Sequence, residues 1–244
     1  MHQFAMPDWA VKQVLGRRGR AHVFDQPDPH RTALLVVDMQ NAFMMDGVAH
    51  SPVPMAQEIV PNVNRIARAM RETGGLVVWI TTAVTEESLV SWSVCNDDLS
   101  TPERRRKRYE AMREGSLGQD LWAGLDAREG DARIRKTRYS AFIQGSSPLE
   151  ALLRERGIDT LVVGGTVTGV CCESTARDAM MLNFKTIMVS DACAARSDGE
   201  HGAALVAFYG TFGDVMTTDE VIGALQARAR QEQPFRAASE KVTG

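Results

Sequence analysis

Three short runs of apolar, largely β-branched residues constrain this chain more than anything else in it. They are Thr32–Val37 (TALLVV), Leu76–Thr81 (LVVWIT) and Thr160–Val163 (TLVV). A strand that packs on only one face alternates apolar and polar residues. A strand covered on both faces is continuously apolar, as in a parallel sheet between two helix layers. Helical-period segments separate these runs. After the first run, Ile59, Val63, Ile66, Ala67 and Met70 recur at helical spacing, and Gly74-Gly75 end that helix. Further on, a short strand is expected near Ala132 to Ile134, then a helix from about Ser147 to Arg156. After the TLVV strand come a helix over about Cys171 to Asn183 and a strand at Thr186 to Ser190 that closes on Asp191. A helix from about Gly199 to Tyr209, a strand at Asp214 to Thr217 and a helix from Thr218 to about Ala229 complete the pattern. Strands alternating with helices point to an α/β fold with one sheet covered on both faces.

Two segments depart from that rhythm. Residues 1–30 are polar, carry Arg17, Arg18 and Arg20, and read as an N-terminal extension. Residues 83–130 are long, polar and irregular, and read as an insertion with one or two short helices. Insertions of this kind commonly cover active sites. The run Arg104 to Arg108 within it reads as a solvated helix face, with a subunit contact or an anionic-substrate role as the alternatives. The catalytic domain is therefore expected over residues 31–231, with residues 232–244 as a mobile tail.

Composition narrows the function classes. Of 244 residues, 44% are hydrophobic and 24% charged, with a formal net charge of -3, so nothing suggests a nucleic-acid or anionic-membrane partner. No apolar run approaches the roughly 20 residues that span a bilayer, and the N-terminus lacks a signal-like apolar core, so a cytoplasmic location is expected. Cys95, Cys171, Cys172 and Cys193 are too few for a disulfide scaffold and read as reduced thiols. The five histidines show no metal-ligand spacing, and no phosphate-binding or dinucleotide fingerprint is present, so no metal and no cofactor are expected.

Sites in open α/β sheets form at the carboxyl ends of strands. Asp38 closes the first strand, Lys136 follows the third, and Cys171 lies just past the fourth, where a glycine-rich turn opens a helix. A cysteine in a first helical turn meets the positive end of the helix dipole, which favours thiolate. It could equally be a small buried hydrophobe. Asp38 could be a turn cap and Lys136 a surface lysine. If they meet, they form an ion pair beside a thiol, which supplies a base. Cys172 projects about 100° around the helix from Cys171, so only one of the two should face a site.

Taken together, LLVVDMQNAF (residues 34–43), KTRYSAF (136–142) and GGTVTGVCCESTARDA (164–179) resemble the signatures of the isochorismatase-like cysteine hydrolases, in order and spacing, over about residues 30–230. The resemblance implies a Rossmann-like three-layer α/β/α fold with a six-stranded, mostly parallel sheet in the order 3-2-1-4-5-6, and a homodimer or homotetramer. It implies Cys171 as nucleophile, Asp38 as base and Lys136 as their electrostatic partner. It also implies a cis peptide between Thr166 and Val167, and an oxyanion hole from the N–H groups of Val167 and Cys171.

Nicotinamidases of this superfamily carry an Asp-x-His metal site that is missing here, and isochorismatases, which cleave a vinyl ether, lack the cysteine. Hydrolysis of a C–N bond in a small amide, carbamoyl or ureido substrate remains, through a thioester-like intermediate. A vinyl-ether hydrolase and a non-catalytic binding protein on the same fold are the alternatives. Ureidoacrylate amidohydrolases share the Lys-x-Arg-Tyr-Ser and Cys-x-Glu-Ser-Thr runs, although Thr81-Thr82-Ala83 replaces their Gln-Asn-Gly. N-carbamoylsarcosine-type amidases are an equally open comparison. The pocket wall is expected from Phe43, Thr82, Trp92 and Tyr139. It should be aromatic and mostly apolar, suiting a neutral or weakly polar acyl group, with Arg135 and Arg138 leaving room for one carboxylate.

Overall fold

A computed structural model describes the backbone of residues 1–240 and the side chains of residues 1–231. The chain begins with α1 (Asp8–Arg18), then β1 (Thr32–Val37), the single turns α2 (Asn41–Met44) and α3 (Met55–Glu58), α4 (Val60–Thr73) and β2 (Leu76–Thr82). The insertion holds α5 (Glu86–Ser91), a π-turn at Val94–Asp98 and α6 (Pro102–Met112). Then follow β3 (Ala132–Lys136), α7 (Leu149–Glu155), β4 (Thr160–Thr166), a π-turn at Thr168–Cys172, α8 (Glu173–Met181), β5 (Lys185–Ala194), α9 (Asp198–Thr211), β6 (Asp214–Met216) and α10 (Thr218–Glu240). The tail expected from residue 232 thus falls on the final turns of α10 and on residues 241–244, which lie outside the described residues. No helix of the described residues is long and apolar enough to cross a membrane.

The six strands form one sheet in the order β3-β2-β1-β4-β5-β6, and every pairing is parallel. Burial follows from alternation along each strand. Leu34 and Val36 of β1 face one apolar cluster with Val63, Ile66 and Met70 of α4 and Val221 and Leu225 of α10. Ala33, Leu35 and Val37 face the other, with Leu149 and Leu153 of α7, Ala176 and Ala179 of α8, and Leu205 and Phe208 of α9. All six residues of β1 are buried, as a two-faced strand requires. The helix expected after β1 ends at Gly74 in the left-handed conformation (φ 86°).

Several boundaries differ from the sequence reading for local reasons. β4 runs on through Gly164 and Gly165. Gly165 sits at φ 119°, and a Cβ there would lie 2.1 Å from the Val37 carbonyl oxygen, so glycine alone permits β1 and β4 to approach so closely. β5 continues past Asp191 because a bulge shifts its register against β4 between Val163 and Gly165. Asp191 instead receives the Thr218 N–H (2.7 Å) and hydroxyl (2.8 Å) at the start of α10.

The extension, in which no element is apparent from sequence, contains α1. Its Ala10 and Val14 are buried, with Val14 in the same apolar cluster as Leu205 and Phe208 of α9. Arg18 then anchors the extension to the sheet. Its Nη1 donates to Asp214 Oδ1 at 2.6 Å, and its guanidinium lies 5.0 Å from the Tyr209 ring centre. Asp214 is fully buried and also accepts the Val23 and Phe24 N–H groups, each at 2.7 Å.

Removing one partner of a buried ion pair leaves the other charge uncompensated and costs about 3–5 kcal/mol. The two backbone donors retained by Asp214 place this pair at the lower end. Arg18→Ala should lower unfolding free energy by about 3 kcal/mol in urea titrations. A loss below about 0.5 kcal/mol, the scale of ordinary surface substitutions, would show that the extension is not anchored by this pair.

Candidate active site

In a sheet of this order, β1 and β4 are neighbours whose connecting helices leave toward opposite faces, and a crevice opens beyond their carboxyl ends. Asp38 is the first residue past β1. Its φ of 52° is unusual for a residue with a side chain and is best tolerated by Asp, Asn or Gly. Its own N–H donates to the Ile80 carbonyl at 2.8 Å, which ties the turn to β2.

Lys136 is the last residue of β3, in register with Thr82 of β2. This register brings three buried polar side chains together. Lys136 Nζ donates to Asp38 Oδ2 (2.8 Å), Thr82 Oγ1 (2.6 Å) and the Arg138 carbonyl (3.1 Å), and the Thr82 hydroxyl donates to Asp38 Oδ1 at 2.9 Å. Both ionised side chains are 0% exposed. Every ammonium proton thus has an acceptor, the condition under which a buried charge pair is tolerable. Gln40 holds the end of β2 in place: its Oε1 accepts the Thr82 N–H at 2.7 Å and its Nε2 donates to the Thr82 carbonyl at 3.1 Å.

Cys171 lies in the π-turn after β4, one residue before the end of that turn, and is 5% exposed. The Thr166–Val167 peptide is cis, and Val167 and Cys171 line the same cavity. Cys172 is fully buried, does not line that cavity, and lies beside Cys193 in the core.

The ionisation of the thiol differs from the expectation based on the helix terminus. Burial first, and then the Asp38 carboxylate, push the Cys171 thiol up to about 12, with Lys136 opposing only in part. Desolvation and a neighbouring anion outweigh the dipole. Lys136 is held above its usual value: burial works against the charge, but Asp38 and then Cys171 prevail. The resting arrangement is therefore a neutral thiol beside a carboxylate–ammonium pair.

The cavity over Cys171 measures about 140 Å³. Phe43, Thr82 and Tyr139 line it, as expected from sequence, and so do Cys95, Leu99 and Ser100 of the insertion. Trp92 stands one layer back. Its ring packs edge-on against Tyr139 (4.8 Å between centres) and takes Arg108 and Arg138 at 5.1 and 5.2 Å. The Thr82 hydroxyl is committed to Asp38 and Lys136.

The wall expected to be mostly apolar is partly cationic. Arg104, Arg108, Arg138 and Arg196 line the cavity with His50 and with apolar side chains such as Leu99, Met112 and Val170, while Arg135 turns away to pair with Glu114. Sequence reasoning missed Gln40, His50 and Arg196, and placed Arg104 and Arg108 in a run read first as a solvated face. For Arg104 and Arg108 the signal was present, since they lie four residues apart and share a helix face. Among the described residues, no group of three or more His, Cys, Asp or Glu side chains is placed to hold a metal ion.

The Isochorismatase domain model matches residues 32–220. The chain belongs to the isochorismatase family, among its cysteine hydrolase-like members, and is an enzyme of the hydrolase class. The ureidoacrylate amidohydrolase RutB of Klebsiella pneumoniae subsp. pneumoniae is 31% identical over 175 residues, covering 67% of this chain and 73% of that one. The cysteine hydrolase of Pseudomonas syringae pv. phaseolicola superposes with a TM-score of 0.71 at 27% identity, covering 83% of this chain and 96% of that one. The N-carbamoylsarcosine amidase of Thermoplasma acidophilum superposes with a TM-score of 0.61 at 30% identity, covering 78% and 97%. The sequence-based expectation of an amidohydrolase agrees with the names of the first and third.

A thiol held near 12 should alkylate through its small thiolate fraction. Iodoacetamide labelling of Cys171, followed by mass spectrometry, should climb from about pH 7 to about pH 10 without levelling off. Asp38→Asn removes a charge that raises the thiol and should label several-fold faster at about pH 8 than the parent. A plateau in the parent below about pH 8 would mean that the thiolate is already formed at rest.

Proposed function

We propose that this protein is an amidohydrolase that cleaves a C–N bond of a small amide, carbamoyl or ureido compound, with Cys171 as nucleophile. The observation that carries the reading is the Cys171 thiol set against the fully buried Asp38–Lys136 pair at the floor of a cavity.

When substrate fills the cavity, Asp38 takes the thiol proton and Cys171 Sγ attacks the carbonyl carbon. Transfer from so weakly acidic a thiol is uphill at rest, so it proceeds together with attack on the carbonyl, and it costs little reorganisation. Lys136 faces a carboxylate before it and a thiolate after it, and remains a fixed cation throughout. The N–H groups of Val167 and Cys171 hold the oxyanion of the tetrahedral intermediate. Its collapse breaks the C–N bond, and Asp38 returns the proton to the leaving nitrogen. Water then attacks the thioester or thiocarbamate, Asp38 accepts its proton, and the thiol is regenerated as the acid departs.

A cavity of about 140 Å³ resembles in size the cavity of about 150 Å³ that encloses benzene, so the acyl group is small. Thiol chemistry of this kind requires no metal ion. The domain expected over residues 31–231 contains the whole family match.

Ammonia release from a panel of small amides and ureides tests the reaction. Cys171→Ala should lose at least about 10³-fold in kcat/KM and keep its fold by circular dichroism, while Cys172→Ala should retain most activity. EDTA should leave the rate unchanged. Full turnover by Cys171→Ala would overturn the covalent mechanism, and loss with EDTA that zinc or manganese restores would overturn metal independence.

A further inference from the structure

Four guanidinium groups border the cavity, and among the described residues no Asp or Glu lines it. Arg196 lies loosely across from Glu200, at 3.9 Å, and donates to Ser51 Oγ at 2.9 Å. Arg138 donates to oxygens of Thr137 and Ser91. The insertion helix α6 contributes the other two, and their situation is different. Arg108 is only 9% exposed. Its Nη1 donates to Asn96 Oδ1 at 2.7 Å and meets Cys95 Sγ at 3.4 Å, and its guanidinium lies over the Trp92 ring. Among the described residues these partners include no carboxylate, so a buried cation stands with its charge uncompensated. Such an arrangement is costly unless a counter-ion arrives. Arg104, one turn before it, lines the same cavity. The neighbouring cations of α6, by contrast, have acidic partners outside: Arg105 pairs with Asp97 at 2.7 Å and Lys107 with Glu103 at 2.9 Å.

His50 reports the local potential. Its pKa is lowered to about 4, first by burial and then, against a hydrogen bond to the Ala42 carbonyl that raises it, by Arg108, Arg104 and Arg196. Three cations from two separate segments therefore bear on one point of the cavity wall.

We propose that Arg108 and Arg104 of the insertion helix form an anion subsite, and that the substrate carries a carboxylate held there, away from its scissile C–N bond. The planar guanidinium fork matches a carboxylate in two parallel hydrogen bonds. A cavity of about 140 Å³ leaves room for one amide and one such group. The substrate class is thus a small carboxylate-bearing amide or ureide. The scissile bond in this statement rests on the amidohydrolase reading, whereas the subsite can be tested without turnover.

The experiment uses the full chain with Cys171→Ala, which binds but does not turn over. Malonamate, succinamate and 3-ureidopropionate are titrated against their neutral methyl esters by calorimetry at low ionic strength, and His50 is followed by NMR. At least one acid should bind ten-fold or more tightly than its ester, and its binding should raise the His50 pKa. Adding Arg108→Gln should bring acid and ester within about two-fold of each other. Arg104→Gln, at an exposed position that does not endanger folding, should reduce the preference several-fold and serves as the deciding variant if Arg108→Gln unfolds. Equal affinity for acid and ester across the panel, or a preference that survives both arginine variants, overturns the subsite. Anion binding by the parent without hydrolysis of any amide retracts the amidohydrolase reading and leaves the subsite standing. Hydrolysis by the wild type with no preference for charge does the reverse.

Discussion

The site depends on one interaction, the fully buried Lys136–Asp38 ion pair. Two charges removed from water are stable only where each finds its opposite and the remaining donors find acceptors. Here those conditions bind the topology. Asp38 leaves β1, Thr82 ends β2 and Lys136 ends β3, so three adjacent strands must finish at the same level for the cluster to close. A slip of one residue in β3 would turn Lys136 to the other face of the sheet and leave Asp38 without its cation. The pair therefore stabilises the register of this half of the sheet as much as it equips the cavity, and Gln40 reinforces it from the next turn.

The same pair explains why the Cys171 thiol is not a resting thiolate. A helix terminus favours negative charge at its first turn, but withdrawal from water penalises the thiolate itself. At Cys171, burial and the nearby Asp38 carboxylate act in the same direction, and only Lys136 resists. A cavity whose thiol is neutral at rest also presents no negative charge of its own to a ligand coming in past the arginines beyond what Lys136 already balances.

Much of the architecture was legible in the sequence because it rests on local pattern. The runs TALLVV, LVVWIT and TLVV could only be two-faced strands, and reactive residues placed just beyond them could only gather at one edge of the sheet. What escaped depended on partners distant in sequence. α1 has few apolar residues and gains its place from α9 and from the Arg18–Asp214 bond, neither visible locally. The extent of β5 depends on a bulge set by its neighbour β4. The run from Arg104 to Arg108 was read as one solvated face, although a period of 3.6 divides it. Arg105 and Lys107 meet acids outside, whereas Arg108 turns inward on the side of Ala111 and Met112. Trp92 was placed in the wall but supports it from behind.

The approach of β4 to β1 at Gly165 has a wider consequence. With the Val37 carbonyl 2.1 Å from where a Cβ would stand, the backbones that carry Asp38 and the Cys171 turn are pressed together with no slack. A bulkier residue at that edge of the sheet would meet backbone at once. The opposite wall of the cavity is under no such restraint, because α5, α6 and the turns between them carry no strand of the sheet, so their side chains can be exchanged without disturbing its pairing. What the cavity admits can thus be altered from the insertion, while the floor stays where the sheet sets it.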